Sequence, residues 1–223
     1  MQNIIIFSTL IVSGPDAASF LQGQMTCDIT QVWAEPSFGA YCDPRGRMIT
    51  NFMIKKAHDS FYLMLPHTML SILETSLKKF AVFSKVTLMT DDTAIEKNRL
   101  EFIKKGIAWI TPETSLLFTP QMLNWEKHGG VSFTKGCYVG QEIVARTQHL
   151  GKLKRHLHQL IIENDDSITP LPGTDLTNDQ NEPIGVLCDT AQNNRTLQLL
   201  AVIQDDALTE KIHLDAHKAV IIT

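Results

Sequence analysis

The residues most able to do chemistry are concentrated in one stretch of eight, residues 135–142. Its reactive groups are an ammonium, a thiol, a phenol, an amide and a carboxylate, from Lys135, Cys137, Tyr138, Gln141 and Glu142. Gly136 and Gly140 favour a tight backbone, and the residues that follow are typical of a helix, so the thiol is expected at or just before a helix N-terminus. The helix dipole and Lys135 would both favour thiolate over thiol. The stretch therefore predicts a functional cysteine, with a small buried cysteine beside a glycine turn as the alternative.

Composition limits the class of protein. The chain has 223 residues, of which 43% are hydrophobic, and it can bury one large core or two modest ones. A formal charge of -4 and a pI near 6.0 argue against a protein that binds nucleic acid along its whole surface. A local basic patch remains compatible with that charge.

The cysteines argue against a metal centre. Cys27, Cys42, Cys137 and Cys188 are widely spaced, with no C-x-x-C pair and no histidine at zinc-finger spacing. This pattern predicts neither a metal site nor a dithiol redox centre, and free thiols indicate a reducing compartment. The apolar run at residues 4–12 lacks the basic flank of a signal peptide, and no run approaches the roughly 18 residues of a membrane span. We therefore expect a cytoplasmic protein without membrane contact.

The order of elements predicts an α+β fold. Over residues 1–92 the pattern is strand, helix, three strands, helix, strand, which indicates a sheet with helices on one face. A turn containing Pro and Gly at residues 43–47 joins two of the strands, and an amphipathic helix is predicted over residues 67–83. The last strand of this series, residues 86–89, is expected to end at residues 90–92.

The pattern changes near Gly151. Short strand-like runs separated by turn-rich segments follow, and they predict a small β-barrel. These runs are residues 153–163, 185–188, 197–204 and 219–223. We therefore divide the chain into a first domain, residues 1–150, and a C-terminal barrel, residues 151–223.

A cluster of basic residues follows the 135–142 stretch. Residues 143–158 hold four cations, three histidines and no carboxylate: Arg146, Lys152, Lys154, Arg155, His149, His156 and His158. Such a patch could meet a phosphate, the glutamate tail of a folate, or RNA, and a solvated edge strand is the alternative. Interleaved aromatic residues, which single-stranded RNA platforms use, are absent, so direct RNA contact has no support from the sequence.

Other chemistries lack their motifs. The chain has no Gly-rich phosphate motif and no G-x-S-x-G elbow, so neither nucleotide hydrolysis nor serine chemistry is supported. A cysteine hydrolase would need a histidine brought to Cys137 by the fold, and His128 and His149 are the candidates.

Residues 135–142, together with Ile143, Val144, Ala145 and Arg146, resemble the K-G-C-Y-x-G-Q-E signature of the YgfZ family, whose members are folate-binding proteins linked to iron–sulfur cluster maturation and tRNA modification. The resemblance covers most of the chain up to about Leu157 and is weaker after it. Further matching segments are residues 14–17, 20–28, 42–47, 79–86 and 118–124.

The resemblance implies a fold, a ligand and a set of partners. The fold would be similar to that of the glycine-cleavage T-protein and related aminomethyltransferases, with a folate pocket in the N-terminal part and a C-terminal β-barrel. Cys137 would be the essential thiol, in a loop shaped by Lys135, Tyr138, Gln141 and Glu142. Candidate contacts to tetrahydrofolate or a derivative are Gln24, Asp28, Gly136, Gly140 and Arg146. The implied partners are iron–sulfur enzymes or their assembly proteins.

The chain departs from the family pattern at two places. Between residues 92 and 98 it is short where longer members carry an additional stretch of subdomain size. Lys104 stands two residues before Gly106, where the family typically has a glutamate that suits the donor edge of a pterin. A lysine has only donors, so these departures weaken the expected folate pocket more than they weaken the resemblance.

The leading hypothesis is a non-catalytic or weakly catalytic accessory protein that binds folate and supports iron–sulfur cluster assembly or repair and thereby tRNA modification. The first alternative is a folate-dependent one-carbon transferase, which needs a carboxylate beside the folate amine; Asp28 and Glu142 are the candidates. A second alternative is a binding module that keeps the fold without the folate.

Overall fold

The computed structural model describes residues 3–149, 151, 153–163, 170–214 and 217–221. These residues form strands and helices whose bounds are β1 (Ile4–Ser13), α1 (Ala17–Gln24), β2 (Ser37–Cys42), β3 (Met48–Ala57), β4 (Ser60–Pro66), α2 (Leu70–Ala81), β5 (Thr87–Asn98), α3 (Arg99–Lys104), α4 (Gln141–His149), β6 (Arg155–Glu163), β7 (Asp175–Thr177), β8 (Pro183–Asn193), β9 (Thr196–Gln204), β10 (Ile212–Leu214) and β11 (His217–Ile221). The α+β prediction is confirmed.

The N-terminal sheet has five antiparallel strands in the order β2-β3-β4-β1-β5. Strands β2 and β3 form a hairpin across the predicted turn, where the backbone N–H of Gly46 donates to the carbonyl oxygen of Asp43 at 2.9 Å. Helix α2 buries one stripe of its surface, formed by Leu70, Leu73 and Leu77, in the main hydrophobic core.

The prediction that the last strand of the sheet ends at residues 90–92 is wrong. Strand β5 continues to Asn98 and pairs with β1 along its length, from Thr87 opposite Ser13 to Asn98 opposite Ile4. The register shifts between Phe7 and Thr9 of β1, which accommodates extra residues of β5. Because β5 is an edge strand with mostly exposed side chains, its sequence lacks the apolar alternation that identifies a half-buried strand.

The C-terminal part is a closed barrel, as predicted, with the strand order β10-β11-β6-β9-β8-β7. The three-residue strands β7 and β10 were not predicted, because three residues are too few to show a period. Part of the predicted last strand, residues 222 and 223, lies outside the described residues.

Two hydrophobic clusters fill the described part of the molecule. One occupies the inside of the barrel, and the larger one fills the N-terminal part. The larger cluster also includes residues from the barrel wall, namely Leu157, Cys188, Ala191, Leu200 and Val202. Beside them, the Nη1 atom of Arg99 on α3 donates to Asp189 of β8 at 2.9 Å. The boundary near Gly151 stays a prediction.

The longest described helix is α2, with twelve residues. Neither α2 nor any other helix in the described ranges is long and apolar enough to cross a membrane.

Candidate functional site

Lys135 anchors the 135–142 loop from inside the protein. Its side chain is only 8% exposed, and its Nζ atom donates to the carbonyl oxygens of Met25 at 2.7 Å and Cys27 at 2.8 Å. The ammonium also lies 5.0 Å from the centre of the Tyr138 ring, a cation–π distance. Burial lowers the pKa of Lys135 to about 8, against the opposing influence of Cys27 and Asp28. The loop is thus tied to residues more than 100 positions earlier in the chain.

The segment that receives Lys135 is itself fixed by the fully buried Thr26. Its hydroxyl donates to the carbonyl oxygen of Gly130 at 2.6 Å and accepts from the backbone N–H of Ala40 at 2.9 Å. Its backbone N–H donates to the carbonyl oxygen of Ala40, and its carbonyl oxygen accepts from Ser132, both at 2.9 Å. Strand β2, this segment and the approach to the loop therefore form one hydrogen-bonded unit.

The two glycines of the loop differ in what the structure requires of them. Gly140 has φ +83°, and a Cβ placed there would lie 2.5 Å from the carbonyl oxygen of Asp43, in the β2–β3 turn. Gly46, in the same turn, has φ +72° and would place a Cβ 3.1 Å from the Cβ of Ile143 on α4. Gly136 is exposed and has no atom within 4 Å of such a Cβ. Gly140 and Gly46 together bring the turn against the start of α4.

Cys137 carries an exposed thiol, and the other three cysteines are buried. Burial raises the pKa of Cys27 to about 11 and raises the pKa values of Cys42 and Cys188 further. The two features predicted to activate Cys137 are arranged differently from the expectation. Lys135 donates to the carbonyls described above, and α4 begins at Gln141, four residues after Cys137. Of the features that would make Cys137 functional, the structure therefore shows the accessibility of its thiol.

The remaining residues of the signature divide between the interior and the solvent. Tyr138 is buried, its hydroxyl has no hydrogen-bond partner among the described residues, and burial together with the Cys42 thiol raises its pKa. The backbone N–H of Gln141 donates to the carbonyl oxygen of Tyr138 at 3.1 Å, which closes the turn into α4. Glu142 and Arg146 are exposed on that helix.

The candidate folate contacts Asp28 and Gln24 lie at and before a short 3-10 turn, Ile29–Gln31. Asp28 caps this turn: its Oδ1 atom accepts from the backbone N–H and the hydroxyl of Thr30 and from the side chain of Gln22, at 3.0, 2.7 and 3.0 Å. The hydrogen bond to the Thr30 hydroxyl is the main reason that the pKa of Asp28 lies below its usual value.

Gln24 is the candidate folate contact with a free buried acceptor. Its Oε1 atom is buried and has no partner among the described residues, a costly arrangement unless a donor reaches it. A pterin presents N–H groups along one edge, so this amide fits such a ligand. Lys104, which stands where the family typically has a glutamate, is exposed, and its carbonyl oxygen accepts from Gln159 at 3.3 Å.

The basic cluster of residues 143–158 contacts an acid, Asp205, that lies far away in the sequence. Lys154 and Arg155 are exposed at the start of β6, whereas His156 bonds to Asp205 at 2.7 Å through its Nδ1 atom. Lys152 and the side chain of His149 lie outside the described residues. The other histidine considered for Cys137, His128, packs against Trp125, with 6.0 Å between ring centres.

Sequence patterns gave no indication of a cavity of about 230 Å³ that lies between the end of α3, the 3-10 turn Trp125–His128 and β6. Its walls come from segments up to 95 positions apart, so no local motif could indicate it. The lining residues are Lys105, Gly106, Asn124, Lys127, His128, Leu157, His158, Gln159 and Leu200.

The sheet followed by a closed barrel defines an aminomethyltransferase-type fold. The chain is similar to glycine cleavage system aminomethyltransferase T from Bartonella henselae, with a TM-score of 0.68 over 98% of this chain and 84% of that one. At 11% identity, this similarity establishes the fold alone.

Sequence comparison identifies the family within that class. A Colwellia psychrerythraea protein named tRNA-modifying protein YgfZ is 30% identical over 221 residues, with 68% of each chain covered. An Enterobacter protein of the same name is 28% identical, with 74% of this chain and 72% of the relative covered. The chain belongs to the YgfZ family. No family model matches it.

Proposed function

We propose that this protein is a folate-binding accessory factor of tRNA modification that acts by supporting the assembly or repair of iron–sulfur clusters. Family membership supports the link to tRNA modification, since the relatives are named tRNA-modifying proteins. The aminomethyltransferase fold is consistent with a folate ligand. In this proposal the cluster or its sulfur is cargo carried by a client enzyme or an assembly protein, and Cys137 of this chain contacts it there.

The exposed thiol of Cys137 on a firmly anchored loop is the observation that carries the proposal. A thiolate is the form of cysteine that ligates iron, and it must be reachable to meet a partner. Cys137 is the exposed cysteine of the four. Lys135 and Gly140 hold the loop on both sides of it, so the thiol is presented at a defined position.

The chain offers Gln24 to a bound folate. Its buried Oε1 atom would accept a hydrogen bond from the pterin edge. Tetrahydrofolate, when bound, supplies nitrogens that carry one-carbon units. The carboxylates available to a transferase are Asp28, which caps a turn, and Glu142, which is exposed on α4. Neither arrangement favours one-carbon transfer over the accessory role.

The proposal is tested with Cys137→Ala, using Cys188→Ala, in the barrel wall, as the matched control. In a strain lacking the protein, we expect Cys137→Ala to restore at least tenfold less activity of a cluster-dependent tRNA-modifying enzyme than the unsubstituted protein restores. The control should restore that activity. Because Gln24, rather than the thiol, is the proposed folate contact, purified Cys137→Ala should bind tetrahydrofolate as the unsubstituted protein does. Full rescue by Cys137→Ala would reject the role of the thiol, and absence of saturable folate binding would reject the ligand.

A further inference from the structure

The cavity between α3 and β6 is lined by side-chain nitrogen groups. Two lysines, Lys105 and Lys127, and two histidines, His128 and His158, are among its lining residues, and among the described residues no carboxylate lines it. Its two amides each use one N–H of the NH₂ group: Gln159 donates to the carbonyl oxygen of Lys104 at 3.3 Å, and Asn124 donates to that of Leu157 at 3.2 Å. The lining is therefore positively charged, although the chain as a whole has a formal charge of -4.

One imidazole of this lining lacks a partner. The Nε2 atom of His158 is buried and has no hydrogen-bond partner among the described residues. Burial lowers the pKa of His158, as do His156 and Lys127, and Asp205 opposes them. An anion in the cavity would supply a counter-charge for the lysines and a hydrogen-bond acceptor for those imidazole N–H groups that reach the cavity.

Two acids lie near the cavity without lining it. Asp205 is bonded to His156 at 2.7 Å. Glu126 is half-buried with one unpartnered oxygen, and burial raises its pKa against the influence of Lys127, His156 and His128. Both acids interact electrostatically with histidines, Asp205 with His158 and Glu126 with His156 and His128.

The shape of the cavity limits the ligand. The apolar part of the lining is Leu157, Leu200 and Gly106, and the His128 ring is held edge-on against Trp125 and Phe38, with ring centres 6.0 and 6.1 Å apart. Its volume of about 230 Å³ is smaller than the roughly 300–1,000 Å³ of pockets for drug-sized ligands. A tetrahedral anion with a small organic group fits this size.

We propose that this cavity is a phosphate-binding site, with Lys105 and Lys127 at its rim and the imidazoles of His128 and His158 as further donors. A phosphate group offers more acceptor oxygens than a carboxylate and up to two negative charges, which matches two ammonium groups and two imidazoles. The phosphate belongs either to a small phosphomonoester or to one nucleotide of an RNA chain. In the RNA case the exposed Lys104, Lys154 and Arg155 beside the cavity would contact neighbouring phosphates.

The test is calorimetric titration of the full chain with three probes: adenosine monophosphate, adenosine, and a ten-nucleotide RNA without terminal phosphates. We expect saturable binding of a phosphate-bearing probe and at least a tenfold loss of affinity in the double variant Lys105→Ala/Lys127→Ala. The control is Lys97→Ala/Lys218→Ala, which removes the same charge from exposed positions on β5 and β11 and should change affinity less than twofold. The ¹⁵N signals of the His128 and His158 imidazoles should shift on binding.

Tighter binding of RNA than of the monophosphate would identify an RNA backbone as the source of the phosphate, and the reverse order would identify a small phosphomonoester. Adenosine that binds as well as its monophosphate would overturn the proposal. An equal loss of affinity in both double variants, unmoved imidazole signals, or no saturable binding of any probe would overturn it as well. None of these results depends on Cys137, so the phosphate site and the thiol function fail or succeed separately.

Discussion

The two glycines of the 135–142 loop give a test at the level of single residues. We expect Gly140→Ala to lower the free energy of unfolding by about 1–3 kcal/mol or more, because a non-glycine residue is strained at φ +83° and its Cβ would collide with the carbonyl oxygen of Asp43. Gly136→Ala should change it by less than about 0.5 kcal/mol, because open space surrounds that position. Urea denaturation followed by tryptophan fluorescence measures both. Equal effects of the two substitutions would contradict the packing described for the loop.

The sequence did not predict the interactions that hold this loop in place. Lys135 was expected to act on Cys137, two positions away, but its ammonium binds carbonyls 110 and 108 positions away in the chain. Spacing along a loop does not determine whether a long side chain turns inward, because that direction depends on partners brought by the fold. Asp28 likewise has a capping role that its position in a polar segment did not reveal.

At the level of elements, the ion pair between Arg99 of α3 and Asp189 of β8 predicts a pH dependence. Asp189 is 1% exposed, and burial raises its pKa to about 6 although Arg99 opposes the shift. The folded protein therefore binds a proton at Asp189 between about pH 4 and pH 6 that the unfolded chain has released. The contribution of this group to stability must fall as the pH rises through that window, by up to about 3 kcal/mol.

Asp189→Asn removes this titration, and Asp206→Asn, at an exposed position, is the control. As the pH rises from 4 to 6, the unfolding free energy of the unsubstituted protein should fall relative to that of Asp189→Asn. Urea denaturation at each pH measures both free energies. The same comparison with Asp206→Asn, at an exposed position outside this ion pair, is the baseline against which that shift is judged. A flat curve for Asp189→Asn would show that the carboxyl does not titrate in that window.

The strength of each element's pattern decided how well the sequence predicted it. Apolar alternation and helical spacing predicted the hairpin, α2, β6 and β9, because their buried faces must be apolar. Strand β8 was predicted only over residues 185–188 but runs from Pro183 to Asn193. Edge strand β5 and the three-residue strands β7 and β10 were missed in whole or in part, since pairing with neighbours defines them. The cavity beside α3 was missed for the same reason, because its walls meet only after folding.

At the level of the whole molecule, the hydrophobic core does not stop where the barrel begins. Strand β9 shows this in two consecutive residues, both fully buried: Leu199 belongs to the cluster inside the barrel, and Leu200 belongs to the larger cluster of the N-terminal part. Successive side chains of a strand point to opposite faces, so β9 contributes to both cores. Loss of the barrel would uncover apolar side chains of the N-terminal part, and we therefore expect the two parts to unfold together.

Substitutions at these two leucines distinguish one cooperative unit from two. Leu199→Ala and Leu200→Ala should each cost about 2–5 kcal/mol, since each leaves a cavity in a packed core. In a single unit, both should lower the hydrogen-exchange protection of the core amides of β1 by the same free energy that they remove from the barrel. Leu200→Ala acts on the shared cluster and would affect β1 in either case, so Leu199→Ala is the decisive variant. Unchanged protection of β1 in Leu199→Ala would mean that the barrel opens on its own while the N-terminal sheet stays folded.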